Sequence, residues 1–396
     1  MQDSQKKTKI SLLVSDLSSS GSGRWGGAVR PFLLYQALKQ LDYDVEIIGF
    51  VSSDNPEPIS GLESATTVVK IYTYPKFISS LNQILKKING DVVYASKLKP
   101  TSFGPALLKK LRTRCPVMLD IDDWELSWHG GDNWRYHPKF KQLMRDILKS
   151  DGALRNPDHP LYLNWIERLV PYADVVTTHT QFMQTRFGGV YLPNGKDTSL
   201  FDPSQYDPAA SRIRYGLSGL RILMFPGAPR PYKGVEDVLA ALDYLNQPDL
   251  RLVIVGGSPY DDYDQALMQK WGRWIIKLPK YPVKQMPDVV AAAHIVVVPQ
   301  RDTPETRAQF PLKLTDGMAM AKPVLATAVG DIPKILGETG YLVKPGSPQQ
   351  IAEQIEWIFQ HLDAANERGM RARARCIEHY SIEAMANVLS RAMESL

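Results

Sequence analysis

Short apolar runs alternate with longer segments of helical period along the chain, and this alternation restricts the possible folds more than any other feature. Each run has the length of a strand, and the segments between runs carry apolar residues at the spacing of amphipathic helices. This order is typical of parallel α/β units, in which a helix connects one strand to the next. The predicted strands are residues 10–14, 45–50, 92–95, 117–121 and 175–178 in the first half, and 222–225, 252–255, 275–278, 295–298 and 324–326 in the second.

The chain of 396 residues is long for one core, so two domains are expected. The predicted helices are residues 28–41, 103–111, 235–245, 263–271, 284–292 and 312–320, and residues 348–396 read almost wholly as helix. The stretch from residue 192 to residue 220 is rich in Pro, Asp, Ser and Gly and is the predicted linker. The fold class is therefore α/β, with two doubly wound, Rossmann-like domains facing a central cleft. The predicted boundaries are 1–198, 199–379 and a C-terminal helix, 380–396, that returns to the first domain.

Composition fits a globular protein, with 44% hydrophobic and 22% charged residues. The net charge of +5 favours phosphorylated ligands or an anionic membrane surface and is weak support for nucleic acid, which is not expected as a partner. Basic residues cluster between residues 96 and 114. This segment is interpreted either as a surface helix with cations near its C-terminal end or as a patch that contacts a membrane. No run of 18 apolar residues occurs, so the expected location is the cytoplasm, with peripheral attachment to the inner face of the membrane left open.

Cysteine and histidine patterns do not predict a metal centre. Cys115 and Cys376 lie far apart in sequence and form neither a disulfide framework nor a CxxC pair. His129, His137 and His159 lack the close spacing and cysteine partners of a zinc site.

Two cations stand at the junction of a predicted strand and a predicted helix, in PGAPRPYKGVEDVL. A helix N-terminus favours an anion, and Arg230 with its planar fork and Lys233 with its compact charge suit a diphosphate. The alternative is that Glu236 and Asp237 complement the helix dipole while the two cations are solvated.

An acidic cluster ends the predicted strand 117–121, in MLDIDDWELSW. Asp120 and Asp122 have the DxD spacing of a divalent metal site, whose hard oxygen ligands carboxylates supply. Asp122 and Asp123, ahead of Asp120, are instead expected to face the cleft and orient an acceptor hydroxyl, unless the carboxylates only cap the next helix. Trp124 and Trp128 follow, and aromatic faces of this kind bury the C–H surfaces of sugars or pack in the core.

Four motifs resemble segments of the family 4 glycosyltransferases, retaining enzymes of GT-B fold. FPLKLTDGMAMAKPVLAT resembles their donor-binding segment, and GAPRPYKGVEDVL resembles their phosphate-binding strand–loop–helix. VYLPNGKDTSLF is similar to their interdomain signature, and Gly26-Gly27 is similar to a glycine loop that faces the donor from the first domain. The motifs fall in the family's order, and the match is best from residue 174 to residue 344.

The resemblance implies a role for each matching residue. Arg230 and Lys233 would bind the donor diphosphate and stabilise charge as the sugar departs, and Asp316 would accept hydrogen bonds from the ribose hydroxyls. Other implied donor contacts are the glycine loop at Gly26 and Gly27, the backbone amides of Phe310, Pro311 and Leu312, and the nucleobase region at Lys280 and Tyr281. The pattern argues against the DxD reading, so no metal and no cofactor are expected.

One departure from the family concerns its acidic pair. Family members usually hold an acid eight positions before the second acid, whereas that position here is Ala308. Glu305 is near that position but three residues too early, and it could take the place of the first acid only if the loop is rearranged. Because the first acid normally contacts the transferred sugar, the sugar and the activity itself stay open.

The predicted function is retaining transfer of a sugar from a UDP- or GDP-linked donor to a hydroxyl of a small-molecule, lipid or glycan acceptor. The first domain is expected to bind the acceptor and the second the nucleotide sugar. Three alternatives are a GT-B sugar epimerase, a phosphorylase that uses pyridoxal phosphate, and a non-catalytic nucleotide-sugar-binding protein.

Overall fold

Two compact units make up the computed structural model, which describes residues 7–18, 29–52, 65–257 and 261–396. Unit 1 comprises Met1–Pro193 and Met385–Leu396, and unit 2 comprises Asn194–Ala384. The sequence predicts boundaries after residues 198 and 379, whereas the units change over after Pro193 and Ala384.

A seven-stranded sheet forms the centre of unit 1. Its strands are β1 (Lys9–Val14), β2 (Asp44–Val51), β3 (Thr66–Lys70), β4 (Val92–Ser96), β5 (Val117–Ile121), β6 (Val175–Thr178) and β7 (Val190–Tyr191). They pair in parallel in the order β3-β2-β1-β4-β5-β6-β7. The strand order reverses between β1 and β4, and doubly wound sheets bind ligands beyond the carboxyl ends of the strands at such a point.

In the described part of unit 1, helices form the connections from β1 to β2 and from β3 through β7, as is usual between parallel strands. The helices of unit 1 are α1 (Val29–Gln40), α2 (Phe77–Lys87), α3 (Phe103–Thr113), α4 (Phe140–Leu148), α5 (Pro160–Glu167) and α6 (Gln181–Phe187). Every residue of β4 and of β5 is buried, which explains why each strand begins with at least three apolar or aromatic residues and is easy to recognise. The terminal strands of the sheet, β3 and β7, carry partly exposed residues and were not predicted.

Unit 2 is built on a second parallel sheet. Its strands are β8 (Arg221–Pro226), β9 (Leu250–Val255), β10 (Ile275–Leu278), β11 (Ile295–Val298), β12 (Val324–Thr327) and β13 (Tyr341–Val343). The order is β10-β9-β8-β11-β12-β13, with the reversal between β8 and β11. The predicted α/β class with two parallel sheets is thus confirmed, and only β13 was missed in this unit.

The helices of unit 2 cover both faces of its sheet, and apolar cores lie on either side. They are α7 (Pro208–Arg214), α8 (Val235–Leu245), α9 (Tyr263–Trp271), α10 (Met286–Ala291), α11 (Pro304–Arg307), α12 (Leu312–Ala319), α13 (Ile332–Leu336), α14 (Pro348–Gln360) and α15 (Leu362–Tyr380), followed by α16 (Ile382–Met393), whose last residues belong to unit 1. The predicted bounds of α8, α9, β10 and β11 agree with the structure to the residue. None of the helices in the described ranges combines the length and apolarity needed to cross a bilayer.

The predicted linker is wrong as a description of residues 194–220, which belong to unit 2. Phe201 and Leu217 from this stretch are buried in the core of that unit. The stretch also contains α7, which begins at Pro208 after Asp207 accepts a hydrogen bond from the amide of Ala209. The Asp-Pro pair that suggested a loop is therefore a helix start, with proline at the first helical position.

Gly234 fixes the loop between β8 and α8 against the end of β11. It has φ +67°, and a Cβ at this position would lie 1.9 Å from the carbonyl oxygen of Pro299. Only glycine allows both the left-handed backbone and this approach. The loop of residues 227–234 is thereby held at the carboxyl edge of the sheet, where the strand order reverses.

Candidate functional site

Three cations lie together at the carboxyl edge of the sheet in unit 2. Arg230 and Lys233 follow β8, as predicted, and Lys313 stands in the first turn of α12. Lys233 is close enough to both of the others for their charges to lower its pKa. We call Arg230, Lys233 and Lys313 the cation cluster.

Lys233 ends a 3₁₀ turn, Pro231–Lys233, and its Nζ donates to the carbonyl oxygen of Ala228 at 3.0 Å. Loss of solvent lowers the pKa of Lys233 well below its usual range, and repulsion from Lys313 and Arg230 lowers it further. A lysine whose charged form is disfavoured by burial gains most from an incoming anion, because the anion stabilises that form.

Arg230 lies in extended backbone just before this turn, and its side chain is 17% exposed. Its Nη1 lies 3.3 Å from Oδ2 of Asp261, a half-exposed carboxylate. Because Asp261 is 45% exposed, water can solvate its carboxylate when a phosphate takes its place beside the guanidinium.

Lys313 was not assigned a role from the sequence, where it is the one cation of the predicted amphipathic helix before Lys322. Its Nζ lies 4.7 Å from the centre of the Phe225 ring and 4.0 Å from the position of a Cβ built on Gly227. Burial lowers the pKa of Lys313 to about 8, against the attraction of Asp316. The signal that would have identified it is its position three residues before Asp316, on the same helix.

Asp316 is buried in α12 and forms an ion pair with Lys196. The Nζ of Lys196 also lies 3.4 Å from the centre of the Phe201 ring. This pair joins two of the motifs singled out in the sequence, and it was not predicted. Lys196 engages Oδ1, and a carboxylate has about four acceptor sites, so the pair does not exclude hydrogen bonds from ribose hydroxyls.

The start of α12 lies beside the cation cluster. Phe310 is buried and its ring packs against that of Tyr380, with centroids 6.0 Å apart. Pro311 is the N-cap and has no side-chain capping bond, and Leu312 is the first helical residue. The predicted amide contact of Pro311 is wrong, because proline has no N–H to donate. The amides of Phe310 and Leu312 keep that predicted role.

The segment that should carry the first acid forms a short helix, α11. Ala308 is the C-cap of this helix and is fully buried, and Glu305 lies partly buried in the first turn. A capping box between Thr303 and Thr306 holds the turn. Glu305 therefore stands about one helical turn before Ala308, and its substitution for the missing acid stays a prediction.

Lys280 and Tyr281 follow β10 on the same edge of the sheet. Lys280 is exposed, whereas Tyr281 is partly buried and packs edge-on against Tyr215, with centroids 5.6 Å apart. Gly26 and Gly27, the predicted glycine loop, lie outside the described residues.

In unit 1, Asp120 belongs to a buried network at the end of β5. It accepts two hydrogen bonds from Arg30, at 2.8 and 3.0 Å, and a third from Thr177 at 2.7 Å. The side chain is completely buried. Asp120 is thus occupied by a structural ion pair, and in the described part of the chain no three His, Cys, Asp or Glu side chains group as metal ligands.

Asp122 and Asp123 face a separate group of charges beyond β4 and β5. Asp122 lies 3.2 Å from Lys97, and Glu125 pairs with Lys97 and Lys99 at 3.1 Å each. Burial alone would raise the pKa of Glu125, but the two lysines hold it at about 2. Neither aspartate caps the following 3₁₀ helix, whose N-cap is Trp124 and has no side-chain capping bond. The structure does not support the capping alternative.

Asp123 differs from its neighbours because it forms no ion pair within 4 Å among the described residues. Its Oδ2 accepts a hydrogen bond from Nε1 of Trp128 at 3.1 Å. Within the described ranges, its Oδ1 is buried and has no hydrogen-bond partner. Burial raises the pKa of Asp123 to about 7 despite the attraction of Lys97.

The two candidate tryptophans lie in different surroundings. Trp124 is buried, donates to Glu167 at 3.1 Å and lies 4.0 Å beneath the guanidinium of Arg186. Its ring is therefore packed within unit 1, as in the core-packing alternative. Trp128 is 41% exposed beside Asp123 and remains the accessible member of the pair.

Comparisons with known proteins find glycosyltransferases both by sequence and by structure. Residues 221–361 match the family described as Glycosyl transferases group 1. The chain is 27% identical over 304 residues to D-rhamnosyltransferase WbpZ of Pseudomonas aeruginosa, covering 72% of this chain and 77% of that protein.

Two solved structures share the fold. HepE of Anabaena, crystallised with UDP-glucose, has a TM-score of 0.74 at 18% identity and covers 98% of this chain and 100% of its own. A glycosyltransferase from Rickettsia africae has a TM-score of 0.71 at 17% identity and covers 98% of this chain and 99% of its own.

Proposed function

Because the chain is a GT-B glycosyltransferase similar to the group 1 enzymes, we propose that it transfers a sugar with retention from a nucleoside diphosphate sugar to an acceptor hydroxyl. In this proposal the cation cluster binds the diphosphate. Unit 2 holds the donor, and the acidic residues of unit 1 orient the acceptor. The proposed location of this reaction is the cytoplasm, which the two free cysteines support.

The observation that carries the proposal is the convergence of Arg230, Lys233 and Lys313 where the strand order of the second sheet reverses. Two of the three have lowered pKa values because solvent is scarce around them. Fixed positive groups in such surroundings stabilise a leaving diphosphate far better than solvated ones, since they need no reorganisation when charge develops.

In the transfer step, the acceptor oxygen forms a bond to the anomeric carbon while the bond from that carbon to the diphosphate oxygen breaks. The bonding pair leaves with the diphosphate, and the acceptor proton passes to one of its oxygens. The cation cluster stabilises the charge that develops there, so the proposal requires no metal ion. Attack on the face that the diphosphate leaves gives retention.

The donor is proposed to be UDP- or GDP-linked. The UDP-glucose complex of HepE supports a uridine nucleotide, although that likeness concerns the fold. In the proposed pose the ribose hydroxyls meet Asp316 and the nucleobase lies near Tyr281. The donor contact of Gly26 and Gly27, which lie outside the described residues, stays a prediction from the sequence.

The acceptor is proposed to be a small molecule, a lipid or a glycan whose hydroxyl donates to Oδ1 of Asp123. That oxygen has no hydrogen-bond partner among the described residues, so it has the capacity to accept one from a hydroxyl. Trp128 lies beside it and offers an exposed ring for a sugar or an aliphatic chain.

The test begins with a panel of nucleotide sugars in a thermal-shift assay, followed by turnover with the donor that stabilises the protein. We expect Arg230→Ala and Lys233→Ala each to lower kcat by about 10²–10³-fold, as loss of one transition-state donor does elsewhere. Arg371→Ala is the matched control, because Arg371 is an exposed cation on α15. Wild-type kcat in both cluster variants would refute the assignment.

One observation favours a second candidate, a protein that binds the nucleotide sugar without transferring it. The position of the first family acid is the fully buried Ala308, which cannot contact a sugar hydroxyl. A donor that raises the unfolding temperature yet releases no nucleoside diphosphate with any acceptor would support this candidate. Release of free diphosphate only when acceptor is present supports the transferase and excludes an epimerase.

A further inference from the structure

Helix α4 in unit 1 presents its apolar residues to solvent. Phe140, Met144, Ile147 and Leu148 are 77%, 38%, 48% and 65% exposed. Their spacing of four, three and one residues puts them on one face of the helix. A surface helix of a globular protein ordinarily turns such a face toward the core, so α4 has the opposite orientation.

The polar side of α4 is the one held by the protein. Asp146 is buried and accepts hydrogen bonds at 2.7 Å from the hydroxyl of Tyr136 and from the amide of Gln142. The C-terminal end is tied by Arg155, whose Nη1 donates to the carbonyl oxygen of Lys149 at 3.2 Å and whose Nε donates to that of Tyr74 at 2.7 Å. These bonds fix the helix with its apolar face outward.

Cations flank the apolar face. Lys139, Lys141, Arg145 and Lys149 are all exposed. Arg145 pairs with Asp151 at 2.6 Å, and the one acidic residue of the helix itself, Asp146, is buried. The surface around the apolar face is therefore cationic, which complements an anionic surface.

Unit 1 also has an apolar groove. Tyr74, to which Arg155 is bonded, lines a groove of about 640 Å³ with mainly apolar walls, which include Leu108 and Ile166. Leu111 at the groove is 81% exposed. Neighbouring exposed apolar side chains such as those of α4 mark interaction sites.

We propose that α4 docks unit 1 on an anionic lipid bilayer, with Phe140, Met144, Ile147 and Leu148 inserted among the acyl chains and the flanking cations at the headgroups. An aromatic and aliphatic face bordered by Lys and Arg is the composition of helices that lie in the membrane interface. A second copy of the chain is the less favourable occupant, because it would bring the same cations together, whereas anionic headgroups neutralise them. The proposal is independent of the donor site.

The test uses the full chain in vesicle co-sedimentation. Wild-type protein is expected to bind vesicles that contain phosphatidylglycerol, to bind pure phosphatidylcholine weakly, and to dissociate in high salt. The double variant Phe140→Ser, Leu148→Ser should lose at least about tenfold in partitioning, since both side chains supply buried apolar area. Ile213→Ser is the matched control, because Ile213 is 71% exposed on α7 of unit 2.

The contribution of charge is tested with a second double variant, Lys141→Glu with Lys149→Glu. This variant should lose the preference for anionic vesicles, whereas the control Lys284→Glu should keep it. Thermal unfolding and turnover of a soluble acceptor should be unchanged in all variants, because the substituted residues are exposed. Wild-type protein that ignores anionic vesicles, or a double variant that binds like wild type, would overturn the proposal. So would concentration-dependent dimers that the double variant abolishes, which would assign this face to self-association.

Discussion

At the scale of single residues, Lys313 offers a direct measure of charge at the proposed diphosphate site. Its pKa of about 8 means that the free protein loses this charge as the pH rises above about 8. A bound diphosphate raises that pKa, so binding takes up protons and the affinity for UDP or GDP falls above this pH.

We expect Lys313→Met to weaken nucleotide binding about tenfold near neutral pH and to remove this part of the pH dependence. Calorimetric titration in buffers of different ionisation enthalpy measures both effects. Lys322→Met is the control, since burial also lowers the pKa of Lys322 to about 8 while its Nζ donates to the carbonyl oxygen of Ala291 at 2.6 Å. Equal effects of the two substitutions would contradict a specific role for Lys313.

Asp123 predicts a pH dependence of stability. Burial raises its pKa to about 7 from a model-peptide value of about 3.9. Between these values the folded protein binds more protons than the unfolded chain, so this residue makes the free energy of unfolding fall as the pH rises from about 4 to about 7. In Asp123→Asn that fall should be smaller.

Urea unfolding of the full chain at about pH 5 and about pH 8 gives this difference directly. Asp151→Asn serves as control, because Asp151 is an exposed carboxylate on the same unit. A pH dependence that is the same in wild type and Asp123→Asn would show that the carboxylate titrates normally.

The residues that sequence reasoning missed are those defined by distant partners. Lys196 and Asp316 lie 120 positions apart, and only the fold brings them into contact. Lys313 and Lys233 are likewise far apart in the sequence, and only the fold brings their charges close together. The sequence also could not distinguish Trp124, buried against Arg186, from exposed Trp128, because both follow the same strand.

At the scale of elements, the loop after β8 depends on one glycine. Gly234→Ala forces a Cβ against the carbonyl oxygen of Pro299 at 1.9 Å and a left-handed backbone on a residue that disfavours it. We expect a loss of about 2–4 kcal/mol in the free energy of unfolding, and weaker nucleotide binding because Lys233 moves with the loop.

Gly104→Ala is the comparison for that substitution. Gly104 lies in the first turn of α3, and a Cβ there meets nothing within 4 Å. This change should be neutral or stabilise by up to about 1 kcal/mol. Thermal unfolding of both variants and of the wild type measures these changes in stability. If Gly234→Ala were as stable as the wild type, the loop after β8 would have to relax without cost.

Elements with unbroken apolar runs were predictable, and very short elements or those with ambiguous turn residues were not. The runs within β8 and β11 are apolar because both faces of the sheet are covered there. β7 has two residues, so it leaves no period to recognise. α7 was hidden because Asp and Pro serve both loops and helix starts, and only the hydrogen bond from Ala209 to Asp207 separates the two cases.

At the scale of the whole molecule, unit 1 includes the C-terminal residues Met385–Leu396. Leu389 in this segment is completely buried. Leu389→Ala should therefore cost about 2–5 kcal/mol of stability, and the cost should appear in unit 1.

Hydrogen exchange measured segment by segment shows which unit loses stability in Leu389→Ala. We expect faster exchange in β1 to β6 and little change in β8 to β12. Leu242→Ala in α8, also completely buried, should give the reverse pattern. Uniform loss of protection in both sheets would show that the two units unfold together.

The interrupted path of unit 1 has a consequence for synthesis of the protein. The ribosome makes all strands of the first sheet before any strand of the second, yet the helix residues that complete the first unit come after Ala384. Unit 1 therefore cannot complete its fold during synthesis until unit 2 has been translated, and part of its apolar surface stays uncovered until then. Nascent chains stalled before Met385 should engage chaperones through the first unit, although it was translated first.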